Sequence, residues 1–273
     1  GLIRFGADGT WEEEFSPEIL PGQGRDFAVD ESGRYVVAGG VVGGNGTFML
    51  ARYLDDGSLD PDFGDAGVVL GLDGKDGFAI AIPLDDAGRI VTTGEIYPQG
   101  GLPYPFIARF NADGTPDTSF GVDGLVSLEG SNYVSRIVTR ASGGYLVTTQ
   151  GPFSTTVQVH ALDDSGALIP DFGAGGHAEL EFMESNIHAL LELDDGRILV
   201  AKSVLMEHHE EMAVRCLLPN GQPDTSFGSD GLFVYPGQGR AVALVPDGDG
   251  VLVGGFLFNA QTGSDVVVLR IMP

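Results

Sequence analysis

The sequence predicts an all-β protein, a β-propeller of four-stranded blades. Three observations lead to this prediction: one pattern repeats along the 273 residues, each repeat contains short runs of Val, Ile, Leu and Phe, and 43 glycines punctuate these runs. A single four-stranded sheet cannot bury both of its faces alone, so neighbouring repeats must pack against one another. Repeats of this length and content are typical of propeller blades.

Each repeat contains an arginine at the end of an apolar run, as in Ala51-Arg52-Tyr53, followed by a polar turn and an Asp-x-x-Phe-Gly motif. The repeated arginines are predicted to be Arg4, Arg52, Arg109, Arg215 and Arg270, with His160 in the remaining copy. The aromatic positions of the motif are Phe15, Phe63, Phe120, Phe172 and Phe227. Recurrence in nearly every repeat favours an architectural contact between arginine and a carboxylate over a set of anion sites.

Turn residues divide each repeat into four strands, because Asp-Gly pairs supply the positive φ angles of tight hairpins. In the second repeat we expect strands near 67–72, 78–84, 89–95 and 105–110, the first of them innermost. We expect a single propeller domain over 1–273, with residues 1–9 as an extra outer strand and turn and five blades at about 10–54, 58–110, 115–162, 167–218 and 222–271. A parent of six or seven blades that lacks its upstream sequence here is the alternative.

The arginine, the polar turn, the Asp-x-x-Phe-Gly motif and mid-repeat runs such as Gly88-Arg89-Ile90-Val91 resemble the delta-60 repeat family of bacterial β-propellers. This resemblance covers essentially the whole chain. It implies a bacterial propeller located outside the cell, in the periplasm or at the cell surface. The family's biochemical activity is largely unassigned, so the resemblance supplies no catalytic residues.

Charge and composition exclude several partners. The chain carries 39 acidic residues against 14 basic ones, a formal charge of −25. This surface repels phosphate, which argues against a nucleic-acid partner. No apolar run approaches the roughly 20 residues that span a bilayer, so no membrane span is predicted. Much of the acidity comes from Asp in the recurring turns and therefore says little about a ligand.

The pentapeptide Pro-Gly-Gln-Gly-Arg occurs twice, at residues 21–25 and 236–240. Its backbone N–H groups and arginine are suited to holding a carboxylate or another anion. We therefore predict Gln23, Arg25, Gln238 and Arg240 as ligand-binding residues, with the two loops side by side on one face. A turn retained from blade duplication is the alternative.

His177, Glu179 and Glu181 alternate along one predicted strand and so share a face. If this strand is the innermost of its blade, these side chains line the central channel, where His177 and Glu179 are candidate ligands for calcium or zinc. No cofactor is otherwise predicted. The alternative is an ordinary strand with one wet face.

An insertion at 95–105 lengthens the second repeat and carries Tyr97 and Tyr104, which are suited to stacking on a sugar or a peptide. Packing of these tyrosines against the neighbouring prolines is equally compatible with the sequence. The predicted function is an exported, non-catalytic scaffold that binds a glycan, peptide or protein through irregular loops or the channel mouth. An enzyme of hydrolase, lyase or isomerase type, metal-assisted and centred on the fourth blade, is one alternative. A structural segment of a larger surface protein is the other.

Overall fold

The computed structural model describes residues 2–41, 46–72, 74–85, 87–128, 133–150, 156–181, 187–206, 209–259, 261 and 263–273. The chain divides into two compact units, Gly1–Val134 and Ser135–Pro273. The regular elements of the described residues are β-strands joined by turns. In this part of the chain no helix has the length and apolar character needed to cross a bilayer.

The first unit contains two antiparallel four-stranded sheets, each with its strands in chain order. The first sheet comprises β1 (Gln23–Val29), β2 (Tyr35–Val41), β3 (Thr47–Tyr53) and β4 (Val68–Leu70). The second sheet comprises β5 (Gly77–Ala81), β6 (Ile90–Ile96), β7 (Tyr104–Phe110) and β8 (Leu125–Ser127).

The second unit contains a four-stranded sheet and a six-stranded sheet. The third sheet comprises β9 (Tyr133–Thr139, which begins in the last two residues of the first unit), β10 (Tyr145–Gln150), β11 (Thr156–Leu162) and β12 (His177–Glu181). The six-stranded sheet comprises β13 (Ile187–Glu192), β14 (Ile198–Met206), β15 (His209–Leu217), β16 (Leu232–Asp247), β17 (Gly250–Asn259) and β18 (Gly263–Ile271).

The long strand β16 joins two meanders into this six-stranded sheet. Its first part pairs with β15, as in Val234 with Ala213, and from Gly239 onward it pairs with β17. It therefore ends the fourth meander and begins the fifth. Among the described residues there are five successive meanders, four of four strands and a last one of three. A closed five-bladed ring stays a prediction.

The assignment of strands to sheets corrects the sequence prediction by one strand. The strand near Gly67 was expected to begin the second blade, but β4 pairs with β3 and completes the first sheet. The turn that contains Phe63 reverses the chain, and the Arg52 N–H then donates to the Gly67 carbonyl at 2.9 Å. The strands β8, β12 and the first part of β16 complete their sheets in the same way.

Residues 2–5 were predicted to form an outer strand, and this prediction is also wrong. Among the described residues of this segment, Phe5 makes an isolated bridge with Trp11, and no strand forms. The N–H of Glu12 donates to the Arg4 carbonyl at 3.0 Å, which closes a local turn instead.

Packing between successive sheets within each unit forms the core. In the first unit, Phe48 of the first sheet stacks on Phe110 of the second at 5.7 Å. In the second unit, β14 is buried on both faces: Ile198 and Val200 pack with the third sheet, while Leu199 and Ala201 pack toward β16 and β17. Burial on both faces explains why the strand sequences read as continuous apolar runs rather than as strict alternation.

Candidate functional site

The repeated arginines of the first unit form one recurring contact, the arginine staple, which consists of an arginine, a carboxylate and the motif phenylalanine. The Nε atoms of Arg52 and Arg109 each lie 2.8 Å from an aspartate Oδ2, of Asp60 and Asp117 respectively. Their guanidinium groups lie 4.6 and 4.7 Å from the ring centroids of the motif phenylalanines, Phe63 and Phe120. Both arginines are buried.

The staple also reaches the next repeat. Arg52 donates from Nη1 to the carbonyl of Ala112, and Arg4 donates to the carbonyl of Asp55 at the equivalent turn, at 2.8 Å. Gly114 in this next turn has φ +86°, and a Cβ there would lie 2.9 Å from the Phe63 ring, so the position requires glycine. The contacts that the structure describes for the arginine staple are therefore all with other groups of the protein.

In the third and fourth repeats, the position equivalent to Arg52 lies one residue later in the chain than the sequence analysis predicted. The N–H groups of Ala161 and Cys216 donate to the carbonyls of Gly176 and Gly231, the contact that Arg52 makes in the first repeat. His160 and Arg215 lie one residue earlier, so the prediction that they occupy the arginine position is wrong. The distance to the motif phenylalanine, eleven residues in each repeat, is the signal that identifies the correct position.

Cys216 is fully buried and its Sγ lies 3.8 Å from Asp224 Oδ2. Burial, with the nearby Asp224 charge, raises the pKa of this thiol to about 11. A protonated, inaccessible thiol is a poor nucleophile. Arg270 keeps the arginine position in the last meander but is exposed and pairs with Asp247 and Asp249.

The two identical pentapeptides do not occupy equivalent positions. Tyr35 and Val251 occupy equivalent positions, because each pairs with the residue after the repeated arginine, Tyr53 and Ile271 respectively. Five residues after them come Gly40 and Phe256, which are therefore equivalent as well. Gln23 pairs with Gly40, and Arg240 pairs with Phe256. Arg240 thus takes the place of Gln23, and the copies are offset by two residues.

One pentapeptide contributes to a cluster in the first unit that we call the aromatic–carboxylate cluster: Arg25, Phe78, Glu95 and Tyr97. The Arg25 guanidinium lies 4.4 Å from the Phe78 ring centroid, and the Phe78 and Tyr97 rings are 5.4 Å apart. Tyr97 Oη donates to Glu95 Oε2 at 2.5 Å. The four residues come from β1, β5 and the end of β6, and the antiparallel pairing of Phe78 with Glu95 aligns two of them.

Exposure and charge vary sharply across this cluster. Glu95 is buried and Arg25 is exposed, with Phe78 and Tyr97 between these extremes. Burial raises the pKa of Glu95, although the Tyr97 hydrogen bond opposes this shift. Burial and the Glu95 carboxylate raise the pKa of Tyr97 well above its usual range. Tyr97 therefore keeps its proton at neutral pH and is the donor to Glu95.

The sequence analysis predicted Arg25 and Tyr97 as ligand-binding residues and did not include Phe78 and Glu95, which the structure places beside them. The available signal was that Glu95 stands where the first repeat has Gly40, as their registers show. Tyr104 lies apart from this cluster: it pairs with Ile96 at the start of β7 and packs against the apolar core.

A second cluster, which we call the basic cluster, lies in the second unit: Arg136, His188, Lys202 and Arg240. Lys202 pairs with Ile187, the neighbour of His188, and Arg136 Nε donates to the His188 carbonyl at 2.8 Å. Arg240 pairs with the Glu210 carboxylate through its Nε atom. Burial, followed by the charges of Arg240 and Arg136, lowers the pKa of His188.

Lys202 is fully buried, and burial lowers its pKa to about 7. By register it stands where other repeats have Gly39, Gly94 and Gly255. The predicted residue Gln238 lies near this cluster on β16, paired with Glu211.

The predicted metal candidates lie on β12, which is the last strand of its sheet rather than the first. His177 Nε2 lies 4.0 Å from Glu179 Oε1, and Glu179 accepts a hydrogen bond from Gln158 at 3.2 Å. The His177 ring lies 5.7 Å from that of His160. The side chain of Glu181 lies outside the described residues. Within the described part of the chain, no three His, Cys, Asp or Glu side chains form a metal-binding group.

Two segments, residues 31–63 and 88–120, match the model of a β-propeller family described as a domain of unknown function, DUF5122. Each match spans the second and third strands of one sheet and the turn with its motif phenylalanine. No curated protein matches the chain.

Several solved structures are similar to this chain at low sequence identity. The periplasmic gluconolactonase PpgL of Pseudomonas aeruginosa is 16% identical, with a TM-score of 0.54 over 99% of this chain and 80% of that one. A glucose dehydrogenase is 12% identical, with a TM-score of 0.48 over 94% of this chain and 90% of that one. The exo-β-1,3-galactanase 1,3Gal43A of Clostridium thermocellum is 13% identical, with a TM-score of 0.47 over 94% and 61%. The family match and the PpgL likeness confirm the predicted class, an all-β propeller of four-stranded antiparallel sheets.

Proposed function

We propose that this chain is a delta-60 repeat propeller, exported by a bacterium, that binds a neutral polyhydroxylated ligand such as the end of a glycan. The binding site is the aromatic–carboxylate cluster. The observation that carries the proposal is the buried Glu95 carboxyl, held by Tyr97 Oη at 2.5 Å beside the Phe78 ring.

The chemistry of the cluster suits a sugar. Small-ligand sites combine apolar and aromatic surface with a few well-placed polar groups. The packed rings of Phe78 and Tyr97 supply aromatic surface, while Glu95 and Tyr97 offer an acceptor and a hydroxyl. Arg25 is exposed and lies 4.4 Å from the same ring, where it can donate to a ligand hydroxyl.

The carboxyl content of the cluster favours binding without catalysis. Most glycoside hydrolases use two carboxyl groups on opposite sides of the bond that breaks. The aromatic–carboxylate cluster contains the single carboxyl of Glu95. A site with one carboxyl and an aromatic face is better suited to recognition of a sugar than to glycoside hydrolysis.

The test begins with the purified chain on an array of neutral oligosaccharides, followed by calorimetry with the best ligand. Phe78→Ala should weaken binding at least tenfold, since it removes the aromatic ring against which Arg25 and Tyr97 pack. Tyr97→Phe should weaken it about three- to tenfold, the range of one lost hydrogen bond. The matched control is Tyr104→Phe, which removes the same hydroxyl outside the cluster and should leave the Kd unchanged.

Two results would overturn the proposal. One is the absence of binding to any neutral saccharide by the wild-type chain. The other is an unchanged Kd in Phe78→Ala with a folded state verified by circular dichroism. Turnover of the bound sugar would contradict the non-catalytic part of the proposal.

A further inference from the structure

The basic cluster gathers positive charge in a strongly acidic protein. Its members come from four strands: Arg136 from β9, His188 from β13, Lys202 from β14 and Arg240 from β16. Both Arg136 and Arg240 act on the His188 imidazole, as does Lys202. Only 14 of the 273 residues are Lys or Arg, so this local concentration is distinctive.

Several donors in the cluster make no hydrogen bond to the residues that the structure describes. Arg136 uses Nε and Nη1 to bind the carbonyls of His188 and Ser135, which leaves Nη2 without a hydrogen bond among the described residues. Arg240 uses Nε for Glu210 and leaves both Nη atoms without one in the same part of the chain. The ring of His188 likewise has no hydrogen bond to the residues that the structure describes.

The members of the basic cluster differ in exposure. Arg136 is exposed, the Arg240 side chain is 43% exposed, His188 is half-buried and Lys202 is fully buried. The charged and titratable groups of β15 nearest in the chain are Glu210, which pairs with Arg240, and His209 and Glu211, which pair with each other. Glu210 offsets the charge of Arg240, whereas among the described residues no acidic side chain pairs with Arg136.

We propose that the basic cluster binds the carboxylate group of an organic acid. Guanidinium groups present parallel N–H donors that match the two oxygens of a carboxylate. Nη2 of Arg136 and the two Nη atoms of Arg240 supply these donors, and His188 is the third residue that contributes one. The site lies in the second unit and uses none of the residues proposed to bind a neutral glycan, so the two proposals stand or fall separately.

Binding of a carboxylate should change the protonation of His188 and Lys202. A nearby anion favours the protonated forms of His188 and Lys202, whose pKa values are lowered in the free protein. Because the pKa of free Lys202 is about 7, binding near pH 7 should draw protons from solution. A purely structural role for these residues predicts no such uptake.

The experiment is isothermal titration of the full chain with succinate at pH 7 in two buffers of different ionisation enthalpy, at constant ionic strength. We expect saturable binding whose apparent enthalpy differs between the buffers in the direction of proton uptake. Arg136→Gln should weaken binding at least tenfold; because this residue is exposed, the variant should fold. Arg25→Gln is the matched control in the other pentapeptide and should leave succinate binding unchanged.

Other outcomes overturn the proposal. They are no saturable succinate binding by the wild-type chain, tighter binding of inorganic phosphate than of succinate, or equal loss of affinity in Arg25→Gln and Arg136→Gln. The last result would show a general charge effect rather than a site. Lys202→Met, as a second variant, should reduce the proton uptake if it folds; unchanged uptake in that folded variant would contradict the role given to Lys202.

Discussion

The second and third repeats differ at the position of the arginine staple: the second repeat has charged side chains there, and the third has apolar ones. In the second repeat the motif phenylalanine lies beside the buried pair Arg109–Asp117, with Arg89 3.9 Å from the same carboxylate. In the third repeat the equivalent positions hold Ala161 and Ile169, and Gly144 stands where Arg89 does. The third repeat therefore has none of these three charged side chains.

The third repeat has a charged contact of its own in another place. Arg140 occupies the turn position that holds Asp85 in the second repeat, and its Nε atom lies 3.0 Å from Glu192 Oε1 on β13. Glu192 also accepts a hydrogen bond from the Ala141 N–H at 2.8 Å. Here the ion pair ties one sheet directly to the next.

This difference shows that the same contact can be made by a buried ion pair or by apolar side chains. A buried ion pair is costly to break but can often be replaced as a whole by apolar residues of similar volume, because the desolvation cost disappears with both charges. The second and third repeats are the two outcomes of this rule within one chain.

The largest expected effect comes from removing the carboxylate of the staple in the second repeat while its arginine stays in place. Asp117→Ala leaves the Arg109 guanidinium, 1% exposed, without its carboxylate and should lower the free energy of unfolding by about 3–5 kcal/mol. Urea denaturation followed by circular dichroism measures this loss. The double variant Arg109→Met/Asp117→Ile imitates the third repeat and should cost less than Asp117→Ala alone; an equal or greater loss would contradict the comparison.

A smaller effect is expected from pH. Hydrogen bonds from the Ser119 hydroxyl and N–H, with the charge of Arg109, hold the pKa of Asp117 below its usual range. A lowered pKa in the folded state means that this stabilisation is present above the pKa of the unfolded chain and is lost as the pH falls through the folded value. The urea midpoint of the wild type should therefore fall more between pH 6 and pH 3 than that of Arg109→Met/Asp117→Ile. Parallel pH profiles of the two proteins would refute the assignment.

The smallest effect is expected from completing the staple in the fourth repeat. Cys216→Arg introduces a guanidinium at the position beside Asp224, and Phe227 lines a cavity of about 510 Å³ together with Arg197 and Leu269. The gain of an ion pair is partly offset by desolvation, so we expect up to about 1 kcal/mol. This corresponds to a rise in Tm of about 2–4 °C. Cys216→Ser is the control for loss of the thiol, and a lower Tm in Cys216→Arg than in this control would contradict the prediction.

The sequence was sufficient to predict the fold class and the strands, because turn residues and apolar runs are local signals. It misplaced β4, β8 and β12 by one sheet, since a run of three to five residues fits the end of one blade as well as the start of the next. It also misplaced the arginine position at His160 and Arg215, where charge alone guided the alignment. In both cases the backbone hydrogen bonds decided the question.

The candidate sites were predictable only in part. Arg25, Tyr97 and Arg240 stood out as repeated or inserted residues, whereas Phe78, Glu95, Arg136, His188 and Lys202 did not. Their neighbours lie on other strands, and the register that brings Phe78 opposite Glu95 includes a bulge between Ala79 and Ala81. A bulge shifts every later pairing by one residue and leaves little trace in the sequence.

By itself, then, the sequence determined a repeated all-β architecture with a strongly acidic surface, since hairpin turns and apolar periodicity are written into short stretches of chain. Only the tertiary structure decided which strand completes each sheet, which arginines form staples, and which polar side chains come together within each unit. The physical reason is that sheet pairing and side-chain convergence depend on hydrogen bonds and packing between residues tens of positions apart.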